Sequence, residues 1–225
     1  MDKPIIIANW KMNPATAREA QELFEKVAEG VKGIDGAEIV ICPPFVYIPD
    51  IVRAASSPAL SVGGQDCFWE EKGAFTGEIS PQMLKEAGCS HVILGHSERA
   101  KYLGETEDMV QKKVQAALAA GLKVILCIGE NEETPQDAPN LIVVYEPEWA
   151  ISTEGGKAAN AGRVAARVVQ MRQTLKTSPI LYGGSVDSLN IGAFLKEAGV
   201  QGVLVGSASL DAKEFITIAR NAAMQ

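Results

Sequence analysis

The chain has 225 residues, with 21 Lys and Arg against 28 Asp and Glu and a formal net charge of −7. Hydrophobic residues make up 47% and charged residues 22%, an ordinary globular composition, and the length suits one large domain spanning 1–225. The acidic balance, with a pI near 5.0, argues against nucleic acid as a partner, because a phosphate backbone needs a basic footprint. Any anionic ligand must be held by local positive groups. No apolar run approaches the roughly 20 residues that span a bilayer. The opening Met1-Asp2-Lys3-Pro4, followed by three isoleucines, is wrongly built for a signal peptide, so no membrane association is expected. Cys42, Cys67, Cys89 and Cys127 form no Cys-x-x-Cys pair, which predicts packed, reduced thiols in a cytoplasm.

Short runs rich in Ile, Val and Leu recur at 5–8, 39–42, 60–63, 91–94, 124–128, 141–145, 179–182 and 203–205. Each is apolar on both faces, as a strand of a buried parallel sheet reads. Helical patterns lie between most of them. The stretch 14–31 places Ala20, Leu23, Phe24, Val27 and Val31 on one face. The stretch 106–120 opens on Thr106 and acidic residues and ends at Gly121, a cap at each end. Further helices are predicted at 48–55, 81–86, 162–176, 188–197 and 212–223, with Ser188 and Asp211 as caps for the last two. Eight strands in this alternation predict an α/β fold, a closed (β/α)8 TIM barrel. One beat is missing. Residues 129–140, GENEETPQDAPN, carry Pro135 and Pro139 and no apolar face, so an irregular connection between the fifth and sixth strands should replace the helix. Twelve residues reach roughly 40 Å when extended, enough to return along a strand of roughly 20 Å.

In a parallel barrel the loops after the strands form the catalytic face. There the sequence sets Asn9-Trp10-Lys11, Gly95-His96-Ser97-Glu98-Arg99, Glu146-Pro147-Glu148-Trp149, Gly183-Gly184-Ser185 and Gly206-Ser207. Small-residue turns after strands seven and eight let backbone N–H groups approach a phosphate. A carboxylate can abstract a proton from carbon while a histidine and a lysine polarise the neighbouring carbonyl.

Several strings are more specific than this spacing. Asn9-Trp10-Lys11-Met12-Asn13, Gln65-Asp66-Cys67 through Gly73-Ala74-Phe75-Thr76-Gly77-Glu78, Gly95-His96-Ser97-Glu98-Arg99, Cys127-Ile128-Gly129-Glu130, Tyr145-Glu146-Pro147 and Tyr182-Gly183-Gly184-Ser185-Val186 occur in this order. Together they resemble the triosephosphate isomerase family over residues 5–208. The resemblance implies interconversion of dihydroxyacetone phosphate and glyceraldehyde 3-phosphate, with no metal or organic cofactor. It implies Glu146 as the base, His96 as the neutral imidazole electrophile, and Lys11 with Asn9 as partners of the enediolate. Glu98 matches the carboxylate near that lysine. Ser152, Ser185, Gly206 and Ser207 match the phosphate grip. Pro147 and Trp149 open the closing lid, Lys157 and Ala159 form its far hinge, and Tyr182 latches it. Gln65, Thr76 and Glu78 fall in the family's dimer loop, with Thr76 reaching the partner's Asn9 and Lys11, which implies a homodimer.

Three departures stand out. The lid is two residues longer than the usual pattern, with Ser152 in place of a glycine; Ser207 replaces the second glycine after strand eight; and the fifth barrel helix is absent. A second reading follows from them: a weakened barrel that binds triose phosphates without efficient turnover. His91 opens a strand at the opposite end and reads as structural, and Cys127 reads as packed rather than nucleophilic.

Overall fold

The computed structural model describes residues 3–55, 60–147, 150 and 160–225. Eight parallel strands close in sequence order into a barrel: β1 (Ile5–Asn9), β2 (Glu38–Cys42), β3 (Leu60–Gly64), β4 (His91–Leu94), β5 (Lys123–Ile128), β6 (Leu141–Tyr145), β7 (Ile180–Gly183) and β8 (Gly202–Val205). The helices are α1 (Ala17–Gly30), α2 (Ile48–Ala54), α3 (Pro81–Glu86), α4 (Ser97–Leu103), α5 (Glu107–Ala119), α6 (Ala161–Met171), α7 (Ile191–Glu197) and α8 (Ala212–Ala223).

The strands are apolar on both faces because they serve two cores. Ile5 and Ile7, Val40 and Cys42, Ile125 and Cys127, Ile142 and Val144, Leu181 and Leu204 fill the inside of the barrel. Ile6, Ala8, Ile39, Ile41, Val92, Leu94, Val124 and Leu126 pack outward against helix residues such as Leu23, Phe24, Val27, Phe194 and Phe215. This parity of two also sets the mouth. Continued by one step, the inward phase places Asn9 after Ile7, Glu146 after Val144, Gly183 after Leu181 and Gly206 after Leu204.

Helix ends follow local chemistry. Thr16 and Glu19 form a reciprocal capping box at α1, Thr106 caps α5 and Asp211 caps α8. Gly121 follows the C-cap of α5 with φ +78°, as expected of a left-handed stop. One expectation is corrected, and one helix was not expected. Ser188 is not a cap: its N–H and hydroxyl donate to Glu214, and the turn before α7 is instead organised by Asp187, which accepts from the N–H groups of Leu189 and Asn190. The helix α4 went unread because it offers only seven residues and buries no side chain, so it has no apolar stripe to detect.

Residues 129–140 contain no helix, yet β5 and β6 pair over five residues, from Val124 with Leu141 to Ile128 with Tyr145. The crossing is tied down along α6 and the turn that follows it. Arg163 meets Glu130 at 2.8 Å, and Arg167 donates to the Glu132 carbonyl at 2.7 Å. At the far end Asp137 accepts five hydrogen bonds. They come from the N–H groups of Lys176, Thr177 and Ser178 and from the hydroxyls of Thr177 and Ser178. The Ser178 hydroxyl, then the remaining donors, hold the Asp137 carboxyl well below the usual carboxylate range.

The opposite end of the barrel is closed by charge. Lys123 reaches Glu38 at 2.8 Å, and His91 Nε2 lies 3.4 Å from the same carboxylate, an ion-pair separation without hydrogen-bond alignment. His91 and Lys123 together hold the Glu38 carboxyl down at about 2 against partial burial, while burial lowers the His91 imidazole. His91 is therefore a packed structural histidine, as its position at a strand start predicts.

Candidate active site

Lys11, His96, Glu146, Gly183, Gly184, Leu204 and Gly206 line one cleft at the C-terminal ends of the strands. Lys11 sits just past β1 with φ +54°, a left-handed backbone that a lysine adopts only when its neighbours impose it. Three contacts do so. Its N–H donates to Asn9 Oδ1 at 3.0 Å, its carbonyl accepts from Gln65 Nε2 at 2.8 Å, and the same Gln65 amide also donates to the Cys42 carbonyl at 2.9 Å. Gln65 thus ties the first two strand ends together beneath the lysine. The ammonium then points at Glu98, 2.5 Å away.

His96 is the N-cap of α4 and only 6% exposed. Its Nδ1 accepts the Glu98 N–H at 3.2 Å, so Nδ1 carries no proton and the ring presents Nε2–H to the cleft in its neutral form. Across from it stands Glu146, 5% exposed, with Oε1 3.6 Å from His96 Nε2 and Oε2 buried without a hydrogen-bond partner among the described residues. A buried carboxylate oxygen left unpartnered is costly for stability, about 1–3 kcal/mol or more. Its position depends on a glycine: a Cβ at Gly183 would lie 2.7 Å from Glu146 Cγ and 2.9 Å from Oε1.

The remaining sequence candidates divide. Gly206 opens a 3₁₀ turn at Ser207–Leu210, its carbonyl accepting from Ser209 N–H and hydroxyl. Ser207 keeps a negative φ, so the serine in place of glycine is conformationally accommodated. Ser185 lies at the next turn, but its N–H donates to the Ala150 carbonyl at 2.9 Å. Tyr182 is buried, stacked on Phe194 at 4.2 Å, with its hydroxyl in the space that a Gly184 Cβ would fill. Pro147 is buried at the root of the segment after β6 and accepts from the Ala150 N–H. Trp149, Ser152, Lys157 and Ala159 lie outside the described residues. Thr76 and Glu78 are exposed on a loop that is closed at its base by Phe68 N–H to the Ile79 carbonyl, 2.8 Å. Within it the Phe68 ring packs at a tilt against both Trp69 and Phe75. Among the described residues no group of three or more His, Cys, Asp or Glu converges to hold a metal ion.

Behind the cleft lies a charge cluster that the sequence reading did not find. Lys113 is buried on α5 and contacts both oxygens of Asp66, at 2.9 and 2.8 Å, and Glu105. Arg99 reaches Asp66 at 2.7 Å and Glu105 at 3.1 Å. Burial pushes the Asp66 carboxyl up despite both cations. The signal was available: Lys113 falls between Val110 and Ala117, on the helix face that packs inward. Cys127 packs beside Glu146, and burial raises its thiol far above the ordinary value, so it is a packing residue.

The family model described as Triosephosphate isomerase matches residues 4–139 and 133–222. The chain belongs to the triosephosphate isomerase family. The two matched segments overlap at 133–139, within the crossing between β5 and β6. A triosephosphate isomerase from Dehalococcoides mccartyi is 43% identical over 252 aligned positions, covering 100% of this chain and 98% of the relative. One from Thermoanaerobacter sp. strain X514 is 41% identical, covering 97% of this chain and 99% of its own length. The crystal structure of triosephosphate isomerase from Bartonella henselae aligns with a TM-score of 0.82 at 34% identity, over 97% of this chain and 98% of that one.

Proposed function

We propose that this enzyme interconverts dihydroxyacetone phosphate and glyceraldehyde 3-phosphate, and that Glu146, His96 and Lys11 carry the chemistry. The observation that bears most weight is the facing pair, Glu146 Oε1 and His96 Nε2 at 3.6 Å, with the Lys11 ammonium in the same cleft. The Glu146 carboxylate takes the proton from C1 of the ketose, leaving a C1–C2 enediolate. It returns a proton to C2 while the hydroxyl proton moves from O1 to O2, so no redox partner is needed. His96, neutral with Nε2–H facing the cleft, donates to the carbonyl oxygen as negative charge develops there. Lys11 supplies the positive field. One of its three ammonium donors is taken by Glu98 and the others remain for substrate oxygens.

The phosphate would lie against the turns at Gly206–Ser207 and Gly184–Ser185, where small residues leave backbone within reach. The Ser185 N–H would then exchange the Ala150 carbonyl for a phosphate oxygen. A homodimer is supported by the exposed loop carrying Thr76 and Phe75, with Phe75 42% exposed, and by the exposed Met12 side chain beside Lys11. Four buried free thiols, with Cys67 and Cys89 pushed up to about 12 by burial, support a reducing cytoplasm. Among the described residues no helix is long and apolar enough to cross a membrane.

Turnover of glyceraldehyde 3-phosphate by purified protein tests the assignment. Glu146→Asp and His96→Asn should each lower kcat by about 10²–10⁴ with the fold intact. A folded wild-type protein that binds 2-phosphoglycolate but does not isomerise would support the weakened-barrel reading instead. Light scattering tests the dimer: a single species at the monomer mass of 23.9 kDa at micromolar concentration counts against it.

A further inference from the structure

A second cavity lies apart from the catalytic cleft. It measures about 360 Å³ and lies in the position of the helical ring that follows α5, where the absent helix would have packed. That volume falls within the range of small-molecule sites, roughly 300–1,000 Å³. Its floor is apolar: Ala100 and Val110 from α4 and α5, and Leu126, Cys127 and Ile128 from the end of β5. Its wall on the open side is the crossing, from Glu132 to Gln136.

The polar lining has one sign. Glu105, Glu107, Glu132 and Glu133 contribute carboxylates, and among the described residues no lysine or arginine lines the cavity. Arg99 and Lys113 stand behind it, but they are matched by Asp66 and Glu105. The positive N-terminus of α5 is opposed by Glu107 and Asp108 in its first turn. The second observation is Glu105 itself. Its side chain is only 4% exposed; both cations converge on Oε1, and Oε2 is buried with no hydrogen-bond partner. A carboxylate with one oxygen unmatched, beside an acidic, apolar-floored cavity, favours a donor that the described residues do not supply.

We infer that this cavity binds a small amphiphilic cation, an ammonium or guanidinium head carried on an alkyl or aryl body. The head would sit among the carboxylates, within reach of Glu105, and the body would cover Ala100, Val110 and Leu126. The site lies at the back of the mouth, since Gly95, which lines it, immediately precedes His96. It is independent of the catalytic assignment, because none of Glu105, Glu107 and Glu133 is given a role in isomerisation.

Three probes that share a body and differ only in the head test it: 4-phenylbutylamine, 4-phenylbutanol and 4-phenylbutanoate. Calorimetry on the intact protein at pH 7 should show the amine binding one to one, the alcohol at least tenfold more weakly, and the acid not at all. Amide shifts caused by the amine should centre on Gly95, Ala100, Val110 and Thr134. The double variant Glu107→Gln/Glu133→Gln, altering two residues at the cavity rim, should weaken the amine at least fivefold and leave isomerase turnover unchanged. Equal binding of amine and alcohol, absence of amine binding at millimolar concentration, shifts centred on another face, or full affinity in the double variant would each overturn the inference.

Discussion

The strand β5 is entered and left by different kinds of chain. Before it, α5 runs thirteen residues with a side-chain cap at its start and a left-handed glycine just past its end, and buries Lys113 and Ala117 against the barrel. After it, residues 129–140 cross the same height of barrel with no helix, held instead by Arg163, Arg167 and the Asp137 fan. Strand pairing is no poorer for the difference: β5 pairs with β6 over five residues and with β4 over four. In this barrel a helix is therefore cover for the outer core, while closure belongs to the strands. Discrete polar anchors can replace that cover where the apolar stripe is missing.

If that division holds, the helical side should be the more sensitive to loss of a single buried group. Lys113→Met should destabilise the fold by about 3 kcal/mol, because Asp66 and Glu105 would lose the ammonium between them in a buried site. Urea denaturation at pH 7 measures this, and a change within error would mean that Arg99 alone satisfies both carboxylates. On the other side, Asp137→Asn removes the acceptor of five hydrogen bonds. It should lower the thermal midpoint by a few degrees while kcat stays at the wild-type value, since Asp137 lies outside the cleft. A drop in kcat in that variant would show that the crossing positions the mouth after all.

The smallest effect is expected at the barrel's other end. The Glu38 carboxyl is held at about 2, against 4.5 for the free group. Above pH 4.5 it is ionised in both folded and unfolded chains and the full stabilisation is present; that contribution is lost as pH falls through about 2. Because the side chain is 33% exposed, solvent screening reduces the contribution to about 1 kcal/mol. Glu38→Gln should therefore destabilise by that amount at pH 7, and the gap from wild type should narrow toward pH 2 in urea titrations. A gap independent of pH would point to lost packing rather than lost charge.

The strands were legible because burial on both faces writes Ile, Val and Leu into consecutive positions, and seven of the eight sequence-predicted strands lie wholly within the observed ones. The missing helix was equally legible, since Pro135 and Pro139 exclude it on covalent grounds. Lys11, His96 and Glu146 could be placed at one mouth by strand order alone. What sequence patterns could not give was dependence between distant residues. Gly183 is a glycine because Glu146 needs its space, and Gln65 matters because it holds the Lys11 carbonyl 54 positions earlier. Neither relation leaves a periodic trace. The turn before α7 shows the same gap: Ser188, Asp187 and Asn190 are all credible caps by residue type, and only the position of Glu214 on α8 draws the serine away.

The shortness of residues 129–140 also bears on how the chain finds its barrel. The pairing of Val124 with Leu141 joins positions 17 apart, whereas Ile5 with Glu38 joins positions 33 apart and Val143 with Ile180 positions 37 apart. Loop-closure entropy grows with the logarithm of that separation, so bringing β5 and β6 together forfeits about 0.6 kcal/mol less conformational freedom than bringing β1 and β2 together. The seam left without a helix is the one whose ends meet most readily.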